Sequence, residues 1–188
     1  MQIIDFADFL ENGIPLENKK SAVTVGVFDG VHLGHQKLIN NVVSHDLNLT
    51  PVVVTFKENH KIGSENIQSF EERTAALEKL GIKIMIVIDF TQEFKRMPGV
   101  EFLKILLKRG SIGYFAVGED FSCGYQLDTD AKAIKTFFES HNIAAGIVQD
   151  VMEDSLPVSS SRIREAIAAG NIKLAEKMLG YALKERSQ

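Results

Sequence analysis

Short apolar runs recur along this chain, each followed by a stretch whose apolar positions fall three and four apart. The runs at 22–28, 51–56, 82–88, 112–117 and 143–148 are short, nearly continuous in apolar residues and mostly rich in Val and Ile, which predicts strands buried on both faces. Between them Leu38, Ile39, Val42 and Val43 repeat at helical spacing, as do Phe70, Thr74 and Leu77. Phe102, Leu103, Leu106 and Leu107 make a third such face, and Ile134, Phe137, Phe138 and His141 a fourth. Ser69 with Glu72 three residues later reads as a capping box. Ser159-Ser160-Ser161 opens a helix bearing Ile163, Ala166 and Ile167; Gly170-Asn171 breaks it. A last helix carries Leu174, Ala175, Met178 and Leu179 and ends at Gly180. Residues 1–20 read as a short peripheral strand and turn, 57–66 as a loop and 89–98 as a connector. Strand and amphipathic helix alternate five times, which predicts an α/β fold: an open parallel sheet of five strands with helices on both faces.

In such a sheet ligands bind beyond the carboxyl ends of the strands, and the unusual polar residues of this chain fall at those ends. Asp29-Gly30 with His32 and His35 follows the first run, and Thr55, Asn59 and His60 follow the second. Gly118-Glu119-Asp120-Phe121 follows the fourth and the cluster at 159–164 the fifth, so four loops predict one shared site. Across 25–35 a strand ends, a turn carries two histidines, and a helix begins. The first amides of a helix lack partners and carry partial positive charge, which suits an anion. Gly30 and Gly34 are expected to let backbone and phosphate approach closely. Ser159-Ser160-Ser161-Arg162-Ile163-Arg164 holds more hydroxyls than one cap requires. Arg162 and Arg164, two apart, do not share a helix face, so one is expected to face the site and the other solvent. Hydroxyls, free amides and a guanidinium at a helix start form a cradle for a polyphosphate.

The composition narrows the partners. With 188 residues, 45% hydrophobic and 24% charged, the chain suits one well-cored domain. A net charge of −4 offers no basic field for nucleic acid or an anionic membrane. No run approaches the roughly 18 apolar residues of a membrane span, and the N-terminus lacks the pattern of a secretory signal. Cys123 is the only cysteine, so an intramolecular disulfide is excluded and a reducing, cytoplasmic location is expected.

His32-x-Gly34-His35 resembles the HxGH signature of the nucleotidyltransferase superfamily. The longer string from Phe28 to His35, Phe-Asp-Gly-Val-His-x-Gly-His, resembles one branch of it, the bacterial FMN adenylyltransferases or FAD synthetases. Val-Ser-Ser-Ser-Arg-Ile-Arg at 158–164 is similar to that family's Ile-Ser-Ser-Thr-x-Ile-Arg. Val117-Gly118-Glu119-Asp120-Phe121 is similar to its Val-Gly-x-Asp-Phe, and Val-Thr-Phe at 54–56 to its Val-x-Thr-Phe. The likeness runs in order from about residue 20 to 181, including Leu179-Gly180-Tyr181.

The resemblance implies a Rossmann-like nucleotidyltransferase fold and adenylyl transfer: attack of the FMN phosphate on the α-phosphate of ATP, giving FAD and pyrophosphate without a covalent enzyme intermediate. Mg²⁺ is implied with the ATP, its protein ligands unnamed. His32, His35 and Arg164 would be catalytic. ATP contacts are implied for Gly26, Phe28, Asp29, Gly30 and Gly34, for both histidines, and for Ser159, Ser160, Ser161 and Arg164. FMN contacts are implied for Thr55, Phe56, Asn59, His60, Asp120 and Phe121. ATP and FMN would be the partners, with no nucleic acid, membrane or obligate protein partner. The family's usual riboflavin kinase domain has no counterpart in 1–188, so a single adenylyltransferase domain is expected. Two loops depart from the family. Lys57-Glu58-Asn59-His60 lacks both prolines of [Asp/Glu]-Pro-His-Pro, and Ser122-Cys123 stands where Arg-Phe is usual. Two alternatives stay open: a transferase with another phosphorylated acceptor, and a flavin- or nucleotide-binding module without turnover.

Overall fold

A computed structural model describes residues 1–16, 19–57 and 66–183. The chain runs β1 (Gln2–Asp5), α1 (Phe6–Asn12), β2 (Ser21–Val25), α2 (Leu33–Ser44), β3 (Thr50–Phe56), α3 (Phe70–Lys79), β4 (Ile84–Ile88), α4 (Gln92–Lys95), α5 (Gly99–Arg109) and β5 (Ile112–Gly118). It continues through β6 (Ser122–Cys123), β7 (Thr129–Asp130), α6 (Ala131–Ser140), β8 (Ala144–Val148), β9 (Met152–Glu153), β10 (Leu156–Pro157), α7 (Ser160–Ala168) and α8 (Ile172–Leu179).

The main sheet is parallel throughout, in the order β1-β4-β3-β2-β5-β8. It has six strands rather than the expected five: β1 is more than peripheral and pairs with β4 at the sheet's edge. From β2 the chain builds outward through β3 and β4, then returns to lay β5 and β8 on the other side. The strand order therefore reverses between β2 and β5, where an open crevice forms at the carboxyl ends.

Every residue of β2 is buried, which explains its nearly continuous apolar run. Successive side chains still alternate between faces. Val23 and Val25 pack with α1, α5 and α6 through Phe9, Phe102, Leu106 and Phe138. Ala22, with Val53 and Met85, packs with α2 and α3 through Ile39, Val42 and Leu77. A third, smaller apolar cluster joins Ile163 of α7 with Ala175, Met178 and Leu179 of α8, Val158 and Ile67. Residue by residue, the capping box at Ser69 and Glu72 is formed as expected, and the connector at 89–98 contains the short helix α4, capped by Thr91.

Candidate active site

The site is built on the turn after β2, which ends at Val25 rather than running on to Phe28. Phe28 and Val31 have φ of +55° and +34°, and Gly30 has +83°. Positive φ at Phe28 and Val31 costs of order 1–3 kcal/mol each, and the surroundings hold it. Arg73 Nη1 donates to the Val27 carbonyl at 2.7 Å, and the Ser160 hydroxyl to that of Asp29 at 2.9 Å. The Tyr181 hydroxyl donates to the Gly30 carbonyl at 2.6 Å, and Gln36 Nε2 to that of Val31 at 2.9 Å. Asp29 Oδ1 accepts from the Ile67 and Gln68 amides at 2.9 and 3.2 Å, while Arg164 Nη2 donates to Asp29 Oδ2 at 2.6 Å. Helices α2, α3 and α7, and Tyr181 just beyond α8, thus converge on one turn.

His32 caps α2: its Nδ1 accepts from the His35 amide at 3.3 Å. An accepting Nδ1 leaves the proton of the neutral ring on Nε2 as a donor. The two imidazoles stack, centroids 3.6 Å apart and planes 19° from parallel, and Phe28 meets His35 edge-on at 5.2 Å. Burial lowers His32 to about 4, against a smaller opposing pull from the Asp29 carboxylate. Burial, then His32 and Arg73, hold His35 well below the usual imidazole range. At neutral pH both rings are uncharged hydrogen-bonding groups. A helix N-terminus reinforces this, because it disfavours cations.

The second helix start faces the same space. Ser159 caps α7 through the Arg162 amide at 3.3 Å. Neither α2 nor α7 carries an acidic residue in its first turn, and the nearby Asp29 carboxylate is paired with Arg164, so the free amides keep their attraction for an anion. Val158 O would lie 3.7 Å from a Cβ on Gly34, which shows how closely the two helix starts approach.

A cleft of about 620 Å³ opens between them, within the range of small-ligand sites. His32, His35, Ser159, Ser160, Ser161 and Arg164 line it from the two helix starts. Phe56, Phe90, Phe94, Met97, Phe102 and Phe121 line it too, and the rings of Phe56, Phe90, Phe94 and Phe102 form one contacting cluster. Asp120 and Asp150 line it from the ends of β5 and β8. Burial and the facing Asp120 carboxylate push Asp150 up to about 6, with Glu119 adding and Lys37 opposing. Cys123 also lines the cleft, but burial and Asp128 push its thiol up to about 12, so it stays protonated and unreactive.

The FAD synthetase family model matches residues 14–162. This chain belongs to that family. A bifunctional riboflavin kinase/FMN adenylyltransferase of Bacillus subtilis is 31% identical over 176 residues, covering 87% of this chain and 54% of that protein. One of Buchnera aphidicola is 28% identical over 173 residues, covering 87% and 55%. The chain therefore spans about half the length of these relatives. A crystal structure of a macrolide-efflux protein from Streptococcus pneumoniae superposes with a TM-score of 0.83 at 31% identity, covering 97% of this chain and 63% of that one. Among the described residues no helix is long and apolar enough to cross a membrane.

Within this FAD synthetase family chain, the residues expected around ATP are brought together with one exception, and those expected around FMN in part. Gly26, Phe28, Asp29, Gly34, both histidines, the three serines and Arg164 all line the cleft. Gly30 does not: a Cβ there would meet Ile67 at 3.1 Å and Leu179 at 3.3 Å, so its lack of a side chain serves packing and the positive φ. Thr55 is fully buried, and its hydroxyl donates to the Val27 carbonyl at 3.2 Å, which makes it a brace for the turn rather than a cleft contact. Phe56, Asp120 and Phe121 line the cleft, whereas Asn59 and His60 lie outside the described residues. Arg162 is not a solvated partner to Arg164: it donates to the carbonyls of Leu156, Pro157 and Glu153, pinning the β9–β10 hairpin. The sequence reading missed Arg73, Lys95, Asp150 and the aromatic wall from Phe90 to Phe102. The clustered phenylalanines of that stretch were the available signal.

Proposed function

We propose that this cleft transfers the adenylyl group of ATP to the phosphate of FMN. An FMN phosphate oxygen attacks the α-phosphorus in line, a new P–O bond forms, and the bond to the departing pyrophosphate breaks, giving FAD. The observation that carries this reading is that a single cleft is lined both by two helix starts with their imidazoles and by a cluster of aromatic rings. Paired helix starts with an imidazole stack suit a triphosphate, and a wall of aromatic rings suits a flat heteroaromatic acceptor.

His32 and His35 donate to oxygens of the α- and β-phosphates, where negative charge grows as the leaving group departs. Neutral donors do this without presenting a base to the attacking phosphate. The amides and hydroxyls at the start of α7 hold the polyphosphate, and Arg164 orients the turn through Asp29 while lining the same cleft. Mg²⁺ carried with ATP would neutralise polyphosphate charge. Asp120 and Asp150 are the carboxylates that suit it, since this ion keeps mostly phosphate and water oxygens as ligands. The single thiol suits a reducing compartment, and the cytoplasm is the proposed location.

The test is pyrophosphate release from ATP and Mg²⁺ with FMN as acceptor and riboflavin as control. Release with FMN alone, with FAD recovered by chromatography, is the expected result. Release only with a different phosphorylated acceptor would overturn the flavin assignment. Flavin binding without release would leave a binding module.

A further inference from the structure

We infer that Lys95 recognises the carbonyl-bearing edge of the acceptor's ring, and so sets acceptor affinity at the aromatic cluster of the cleft. The inference rests on the proposed function and deepens it. Lys95 ends α4 and lines the cleft, with its ammonium 5.4 Å from the centroid of the Phe90 ring. An ammonium on so short a helix is ordinarily a solvated surface charge. Two features set this one apart.

The first is that α4 is held in place. Thr91 accepts from the Phe94 amide at 3.1 Å, and the Phe94 ring meets Phe6, Phe56 and Phe102 edge-on, with centroids 5.6, 5.9 and 5.6 Å away. The lysine stem therefore leaves from a fixed base. The second is charge. Lys95 and Arg164 are the lysine and arginine that line the cleft; Arg164 is paired with Asp29, whereas among the described residues no carboxylate lies within ion-pair distance of Lys95. Asp29, the cleft carboxylate nearest the histidines, is already paired with Arg164.

A cation poised over an aromatic ring, beside other aromatic walls, matches a ligand that is flat and carries carbonyl oxygens on one edge. A flavin has that shape: its ring stacks on the phenylalanines and its pyrimidine carbonyls accept from the ammonium. The phosphate of FMN has its donors elsewhere in the lining, among the helix starts, imidazoles and Arg164.

Riboflavin and FMN share the ring and differ in the phosphate, so together they separate the two roles. Binding of each is read by quenching of flavin fluorescence, with no dependence on turnover, for the wild type, Lys95→Met and Lys95→Arg. Lys95→Met, which keeps an apolar stem, is expected to weaken both flavins by roughly 10-fold, the value of one hydrogen bond to a charged group. Lys95→Arg should restore most of that loss, and KM for ATP should stay within about 2-fold. Unchanged affinity for both flavins in Lys95→Met would overturn the inference, and weakening of FMN alone would move Lys95 to the phosphate and overturn it too. Failure of the wild type to bind either flavin while still binding ATP would instead overturn the proposed acceptor itself.

Discussion

Asp29 carries more of the turn than either histidine. Its carboxylate takes the Arg164 guanidinium on one oxygen and two backbone amides on the other, and its carbonyl takes Ser160. Removing one partner of a buried pair strands the other charge, which typically costs 3–5 kcal/mol. Asp29→Ala should therefore lower unfolding free energy by about 3–5 kcal/mol in urea titrations. Activity would fall with it, because the strained φ values at Phe28 and Val31 lose their anchor. His35→Ala should behave differently. Stability should change modestly, while turnover should drop by roughly 10²–10³, the loss seen when a single donor to developing charge is removed. Steady-state pyrophosphate release set beside urea midpoints separates the two; near-wild-type turnover in His35→Ala would remove that ring from the mechanism.

At the level of elements, the two helix starts show what a one-dimensional pattern reveals and what it hides. A serine cap within 159–161, the amphipathic faces of α5 and α6, and the strands β2 to β5 follow from apolar spacing and capping chemistry, both local properties; that the cap is Ser159 does not. The roles of Arg162 and Arg164 do not. Both sit one turn into α7, yet one reaches Asp29 across 135 residues of sequence and the other pins a hairpin whose strands are two residues long. Strands that short show no alternation to read. β1 escaped a place in the sheet for a similar reason, since only Ile4 of its four residues is buried. Thr55 and Gly30 sat in family-like motifs, but whether a motif residue faces a ligand or braces a turn depends on contacts such as Thr55 to Val27. Arg162→Ala should speed amide hydrogen exchange at 152–156 while leaving exchange at 21–25 unchanged. Equal acceleration in both segments would mean that Arg162 supports the whole fold rather than the hairpin.

Over the whole molecule, seating two imidazoles uncharged at the crevice makes folding sensitive to acid. An exposed imidazole in the unfolded chain takes up its proton near pH 6.5, whereas folded His32 resists until about 4. Between those values the unfolded state binds more protons, so stability is full above about pH 6.5 and is lost as the pH falls towards 4. The separation corresponds to about 3 kcal/mol for His32, and His35, lowered by the same burial, pulls the same way. Asp150, raised to about 6, works against them over part of the range, because its folded form takes up a proton before its unfolded form does. It is only half-buried and contributes less. Urea midpoints should therefore fall steadily from pH 7 to pH 4.5. His32→Asn isolates the cause: asparagine keeps a side-chain acceptor for the His35 amide but does not titrate. Its stability should vary less steeply with pH than that of the wild type. Added triphosphate should flatten the wild-type curve as well, since an anion at the helix starts favours the protonated rings. An identical slope in His32→Asn and wild type would show that His32 is not held neutral by the fold, and the uncharged donor pair on which the proposed transfer step relies would go with it.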